Sequence, residues 1–149
     1  MNHKQKIQNI FEGFMSMQKA MSSRKDLFLK QFELTVPQMH ILYSIAQGKT
    51  LTVKDIATKM GITSSAATQI IQGLVKSGYV ERKNDDRDGR VIHIQFSKEG
   101  QLKFKKFREA HLERISKIFA SLTDQELDLL IEIPKKVLLH ANQLDNNNL

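Results

Sequence analysis

Apolar residues recur at helical spacing from about Lys4 to Phe32, as Ile7, Ile10, Phe11, Phe14, Met15, Met17, Met21, Leu27 and Phe28. Met21-Ser22-Ser23-Arg24 is placed to bend or interrupt that stretch. Thr35-Val36-Pro37-Gln38 reads as a capping box with proline in the first turn, opening a helix that stops near Gly48. That helix is apolar nearly all round (Met39, Ile41, Leu42, Tyr43, Ile45, Ala46), so it belongs in the centre of the fold. Thr52-Val53-Lys54-Asp55 caps a short helix with Val53, Ile56, Ala57 and Met60 on one face. Gly61-Ile62-Thr63 breaks the chain, and a third helix runs from about Ser64 to Ser77, closed by Gly78. Tyr79 to Lys83 and Val91 to Phe96 are strand-like. In the second, Ile92, Ile94 and Phe96 alternate with His93 and Gln95. The polar run Asn84 to Arg90 joins them as a hairpin loop. From Ser97, a stripe of Phe104, Phe107, His111, Ile115, Ile118, Phe119 and Leu122 predicts a long helix. Thr123 to Glu126 caps a last helix that holds Pro134, where a kink is expected. Residues 146–149 are expected to form a disordered tail.

The helix from Ser64 to Lys76 carries the chemistry. Ala67, Ile70, Ile71 and Leu74 make one face, and Ser65, Thr68, Gln69, Gln72 and Lys76 make the other. The polar face has no acid. Its hydroxyls, amides and single cation suit base edges and phosphates in a major groove, where a carboxylate would be repelled. By itself this face also fits an ordinary amphipathic surface helix. Its setting favours the first reading. A short capped helix and a tight glycine turn precede it, which together make a helix-turn-helix over 53–77. A two-stranded hairpin over 79–96 follows, and its loop carries Arg87 and Arg90, suited to a phosphate backbone or a minor groove.

The whole-chain properties fit this reading. The 149 residues suit one domain, and the net charge of +7 favours polyanions, nucleic acid before acidic membrane surfaces. No apolar run approaches a membrane span and no secretory signal is visible. The absence of cysteine excludes disulfides, thiolate metal sites and thiol redox switching, and agrees with a cytoplasmic location.

In order and spacing, Leu34-Thr35-Val36-Pro37-Gln38, Gly61-Ile62-Thr63 through Leu74, and Gly78-Tyr79-Val80-Glu81-Arg82 resemble the MarR (multiple-antibiotic-resistance regulator) family of transcription factors. So does Asp85-Asp86-Arg87-Asp88-Gly89-Arg90, followed by a strand and Phe96-Ser97-Lys98-Glu99-Gly100. Phe96-Ser97 stands where the family has Leu-Thr. The resemblance covers nearly the whole chain. It implies one domain over 1–145, mainly α with a small β-hairpin wing: a winged helix-turn-helix over 51–96, flanked by dimerisation helices at 4–33 and 97–145. It implies that Thr63, Ser64, Ser65, Thr68 and Gln69 face DNA, that Arg90 touches DNA from the wing, and that Asp88 holds Arg90. Asp88 also fits as a plain turn residue beside Gly89. The family often has arginine in place of Gln69.

The terminal helices carry more apolar surface than one small winged domain covers, which predicts a homodimer, as the resemblance also implies. The expected function is a sequence-specific regulator, acting as a repressor on a pseudo-palindromic operator of double-stranded DNA. The alternative is a nonspecific DNA-architectural protein. The resemblance further implies a small-molecule effector, with Phe14, Met15, Met17, His40 and Tyr43 as candidate lining; the same residues at helical spacing fit plain core. His40, His111, Glu109, Glu113 and His3 show no tight ligand spacing, so no metal and no cofactor is expected. No phosphate loop, nucleophile motif or paired-carboxylate cluster marks an enzyme.

Overall fold

In the computed structural model, which describes residues 1–22, 25–48, 51–85 and 91–147, seven helices and three strands are seen. They are α1 (His3–Ser22), α2 (Lys25–Lys30), α3 (Val36–Ala46), β1 (Leu51–Thr52), α4 (Val53–Met60), α5 (Ser64–Lys76), β2 (Val80–Asn84), β3 (Ile92–Phe96), α6 (Lys98–Phe119) and α7 (Asp124–Asn147). Met1–Phe107 and Arg108–Leu149 form two units, with the boundary inside α6.

Both capping boxes expected in the first unit form. Thr35 accepts from Gln38 N and returns its own N–H to the Gln38 side chain, with Pro37 in the first turn of α3. α2 ends differently. Leu34 N donates to Leu29 O at 3.0 Å and Glu33 N to Lys30 O at 3.1 Å, with Glu33 left-handed at φ 54°. This is the Schellman arrangement, and its apolar pair, Leu29 and Leu34, is buried.

The sheet is three-stranded and antiparallel in the order β1-β3-β2. The sequence pattern shows only the hairpin of β2 and β3. Leu51 and Thr52 pair with Ile94 and His93, so Thr52 serves both as a strand residue and as the cap of α4. Two residues are too few to show alternation, which is why β1 was not expected.

The core of the first unit gathers α3, α4, α5 and the sheet around Ile41, Leu42, Ile56, Ile71, Leu74 and Ile94, all essentially inaccessible. An aromatic cluster adjoins it. Phe32 meets Phe107 edge-on at 5.3 Å, Tyr43 meets Phe104 edge-on at 5.4 Å, and Phe96 stacks on Phe104 at 4.9 Å. Phe28 and Phe32 lie 5.3 Å apart. Offset and edge-on rings of this kind add to what their buried area contributes.

The terminal helices are another matter. α1 buries no residue; Ile10, Phe11 and Phe14 are each more than 60% exposed. In the second unit Thr123 caps α7 through Glu126, as the sequence predicts. Pro134 lies inside this continuous helix. Val137, Leu138 and Leu139 are likewise each more than 60% exposed. α7 takes in Asn146 and Asn147, expected in the tail; Asn148 and Leu149 lie outside the described residues. Among the described residues no helix is long and apolar enough to cross a membrane.

Gly100, in the first turn of α6, is buried against backbone: a Cβ there would overlap the carbonyl of Tyr79. Gly100→Ala should lower the unfolding free energy by about 2 kcal/mol or more, since backbone on both sides must move. Urea unfolding of the two proteins checks this.

Candidate nucleic-acid interface

α4 is fixed at both ends. Its cap Thr52 accepts from Asp55 N at 3.2 Å, while Asp55 Oδ2 accepts from Thr52 N and Oγ1, both at 2.8 Å. These bonds hold the Asp55 carboxyl below its ordinary range. At the other end Gly61 takes φ 62°, a left-handed conformation costly for any residue with a Cβ, and Ile62 N returns to Ala57 O at 3.0 Å. The chain therefore turns within three residues and Thr63 caps α5, its hydroxyl oxygen accepting from Ala66 N at 3.1 Å.

α5 buries Ala67, Ile71 and Leu74 and exposes Ser64, Ser65, Gln69, Gln72 and Lys76; Thr68 is half-buried. Gly73 lets α3 approach: a Cβ there would lie 2.6 Å from Gln38 Nε2, and the Gln38 side chain is already committed to the cap of α3. Thr63 and Thr68 are not equivalent. The Thr63 oxygen accepts the cap bond and keeps its O–H free to donate. Thr68 donates its O–H to Ser64 O at 2.8 Å and keeps only lone pairs and a methyl.

The far end of α5 is anchored through its carbonyls. Tyr79 N bonds Leu74 O at 2.9 Å and Gly78 N bonds Val75 O at 3.0 Å, with Gly78 at φ 75°. Lys103 Nζ reaches Ser77 O at 2.9 Å, and Ser97 Oγ donates to Gly78 O at 2.7 Å while accepting from Gly100 N at 2.8 Å. Recognition-type helix, wing strand and α6 thus meet in one hydrogen-bonded junction.

Electrostatically the segment 51–85 is one-sided. Its three acids are all engaged within the chain: Asp55 by Thr52, Glu81 by Gln95 Nε2 at 2.7 Å, and Asp85 by His93 Nε2 at 2.8 Å. Its five cations, Lys54, Lys59, Lys76, Arg82 and Lys83, are exposed and carry no ion pair among the described residues. Five exposed cations against three acids leave the segment net positive, which favours an anion.

The wing strands carry a loop closed by Asp85 N to Val91 O at 2.9 Å. Arg87, Asp88 and Arg90 lie outside the described residues. The helical candidates Ser64, Ser65, Thr68, Gln69, Gln72 and Lys76 share one side of α5, and Thr63 begins it. The five effector candidates are not alike: Phe14, Met15, Met17 and His40 are exposed, whereas Tyr43 is half-buried and packs edge-on against Phe104 and Phe107 beside the core. Sequence reasoning missed the Asp85–His93 pair. His93 is half-buried between Thr52 and Lys83 in the sheet, and its Nδ1 is buried without a hydrogen-bond partner among the described residues. The alternation in β3 marks His93 as facing away from Ile94 but gives no sign of the carboxylate eight residues earlier.

The capping carboxylate makes α4 sensitive to acid. Thr52→Ala should lower stability by about 1 kcal/mol near neutral pH. Because Asp55 has a lowered folded pKa, its share is present above the unfolded carboxyl pKa and is lost as pH falls through the folded one. The gap between wild type and variant should therefore narrow below the ordinary carboxylate range, as read by urea unfolding at a series of pH values.

Comparison with known proteins places this geometry. The MarR family model matches residues 34–92. The transcriptional repressor YetL of Bacillus subtilis is 22% identical over 152 residues, covering 89% of this chain and 91% of its own length. A MarR family protein from Bacillus stearothermophilus superposes with a TM-score of 0.81 at 18% identity, covering 95% of this chain and 99% of that one. A MepR-like protein solved with pseudoligands is 31% identical with a TM-score of 0.57, covering 92% and 94%. The F27L mutant of S. aureus MepR, solved bound to an oligodeoxyribonucleotide, gives a TM-score of 0.63 at 21% identity, covering 89% and 97%. These relatives are regulators rather than enzymes, and the chain belongs to the MarR family of transcriptional regulators, with that family's winged-helix fold.

Proposed function

We propose that the chain is a sequence-specific transcriptional repressor that binds duplex DNA as a homodimer. The observation that carries this is the exposed, acid-free face of α5, set behind a doubly capped α4 and flanked by a wing whose cations are unpaired among the described residues. Thr63, Ser64, Ser65, Thr68, Gln69 and Gln72 enter the major groove, and Lys76 meets the phosphate backbone. Arg87 and Arg90 reach DNA from the wing tip, with Asp88 steadying Arg90 by a charge-assisted bond. The repressor name of YetL and the oligonucleotide bound to the MepR mutant support the reading.

The homodimer follows from surface. α1 and α7 present Ile7, Ile10, Phe11, Phe14, Val137, Leu138 and Leu139 to solvent, more apolar area than a monomer leaves bare without reason. A second copy covers these helices and sets two α5 helices about one DNA turn (~34 Å) apart on a pseudo-palindrome.

Arg90→Ala should weaken binding to every duplex and reduce the slope of log affinity against log salt by about 1. Fluorescence anisotropy over a salt series reads this; an unchanged slope removes Arg90 from the interface. Light scattering at micromolar concentration should give twice the chain mass, and a monomer there refutes the dimer.

A further inference from the structure

α5 contains neither an acid nor an arginine, and its one cation, Lys76, is its last residue. At about 1.5 Å rise per residue, Lys76 stands about 16 Å along the axis from Ser65. In a helix-turn-helix the N-terminal part of the second helix reaches base edges. Lys76 therefore falls to the backbone, and only hydroxyls and amides are left to read bases.

That inventory is selective. A carboxamide offers one donor beside one acceptor, which matches the N6 amino group and N7 of adenine. Guanine shows two acceptors there, O6 and N7, which a guanidinium satisfies and an amide oxygen opposes. The amino group of cytosine pairs well with a carboxylate, and α5 has none. Gln69 is exposed on this face, and its amide makes no hydrogen bond among the described residues. Thr68, one residue before, has its only donor directed to Ser64 O at 2.8 Å. It can offer a groove a methyl group and lone pairs, and the C5-methyl of thymine is the apolar partner for such a methyl.

We propose that each operator half-site is A·T where α5 meets it, with Gln69 reading an adenine through two hydrogen bonds and Thr68 packing on a thymine methyl. This rests on α5 being the recognition helix. Guanine is disfavoured by the absence of a guanidinium at the N-terminal half of the helix, and cytosine by the absence of a carboxylate.

The test is selection of bound duplexes from a random pool by the full chain, followed by two substitutions on the selected site. The enriched half-sites should be A·T under α5. Gln69→Arg should move the preference from adenine to guanine at one base pair of each half-site, a discrimination of about fivefold to 150-fold for a bidentate contact. Replacing the contacted thymine by uracil removes one methyl and should weaken wild-type binding about fourfold, while Thr68→Ser, which keeps the hydroxyl, should be indifferent to the exchange. The wild-type loss on uracil exchange is read without any variant, and no loss there would by itself overturn the thymine contact. A wild-type preference for G·C at the base pair that Gln69→Arg alters would overturn the assignment. So would a change in affinity that is equal for all four bases, or a uracil penalty identical in wild type and Thr68→Ser. If no sequence is enriched, the reading as a sequence-specific regulator fails, and this assignment falls with it.

Discussion

The packing of Gly100 onto the backbone of Tyr79 is the constraint on which the arrangement of α5, the sheet and α6 depends. Only a residue without a Cβ lets the first turn of α6 sit there. That contact brings Ser97 within reach of Gly78 O, and Lys103 within reach of Ser77 O. A helix leaves its last carbonyls without internal partners, and buried carbonyls must find others. At the end of α5 the partners come from the following turn and from α6. The same bonds that satisfy the helix end also set its direction relative to the wing strands. Tyr79 adds a long-range tie through its hydroxyl to Phe32 O at 2.9 Å, and burial pushes its pKa up.

The charge balance of the segment 51–85 favours an anion, with five exposed cations against three acids. Asp55, Glu81 and Asp85 could each repel a phosphate. Each is instead held by a hydrogen bond, Asp55 from Thr52 at the head of α4, and Glu81 and Asp85 from Gln95 and His93 on β3. Exposed ion pairs contribute little to stability, and the value of these bonds lies more in where they hold the carboxylates. The neighbouring lysines and Arg82 are left in solvent, where a phosphate can reach them.

Much of this was legible in local sequence. Caps are interactions over three residues, so Thr35-Gln38, Thr52-Asp55 and Thr123-Glu126 announce themselves by spacing, and all three form. The turn at Gly61 is legible because only glycine adopts its backbone conformation cheaply. The polar face of α5 follows from a period of 3.6 residues. β1 was not legible, because two residues have no period; its existence depends on Ile94 and His93 being alongside. Tyr43 fitted core or a ligand contact in sequence; its half-buried, edge-on packing against Phe104, some sixty residues away, is a contact that no local pattern records.

The sequence by itself therefore determined the helices, their caps, the acid-free face of α5 and the family to which the chain belongs. These depend on neighbours within a turn or two, or on the order of motifs along the chain. Tertiary structure alone decided that the hairpin is a three-stranded sheet, that Asp85 is held by His93, and that Gly100 must be glycine. Each of these arises where segments distant in sequence come together, and no spacing along the chain records which side chains will face each other there. The distinction reaches into the reading of DNA. Thr68 and Gln69 share one face by helical period. The bond from Thr68 to Ser64 O, one turn back in the same helix, leaves Thr68 no hydrogen to donate, so this part of the reading of DNA is local too.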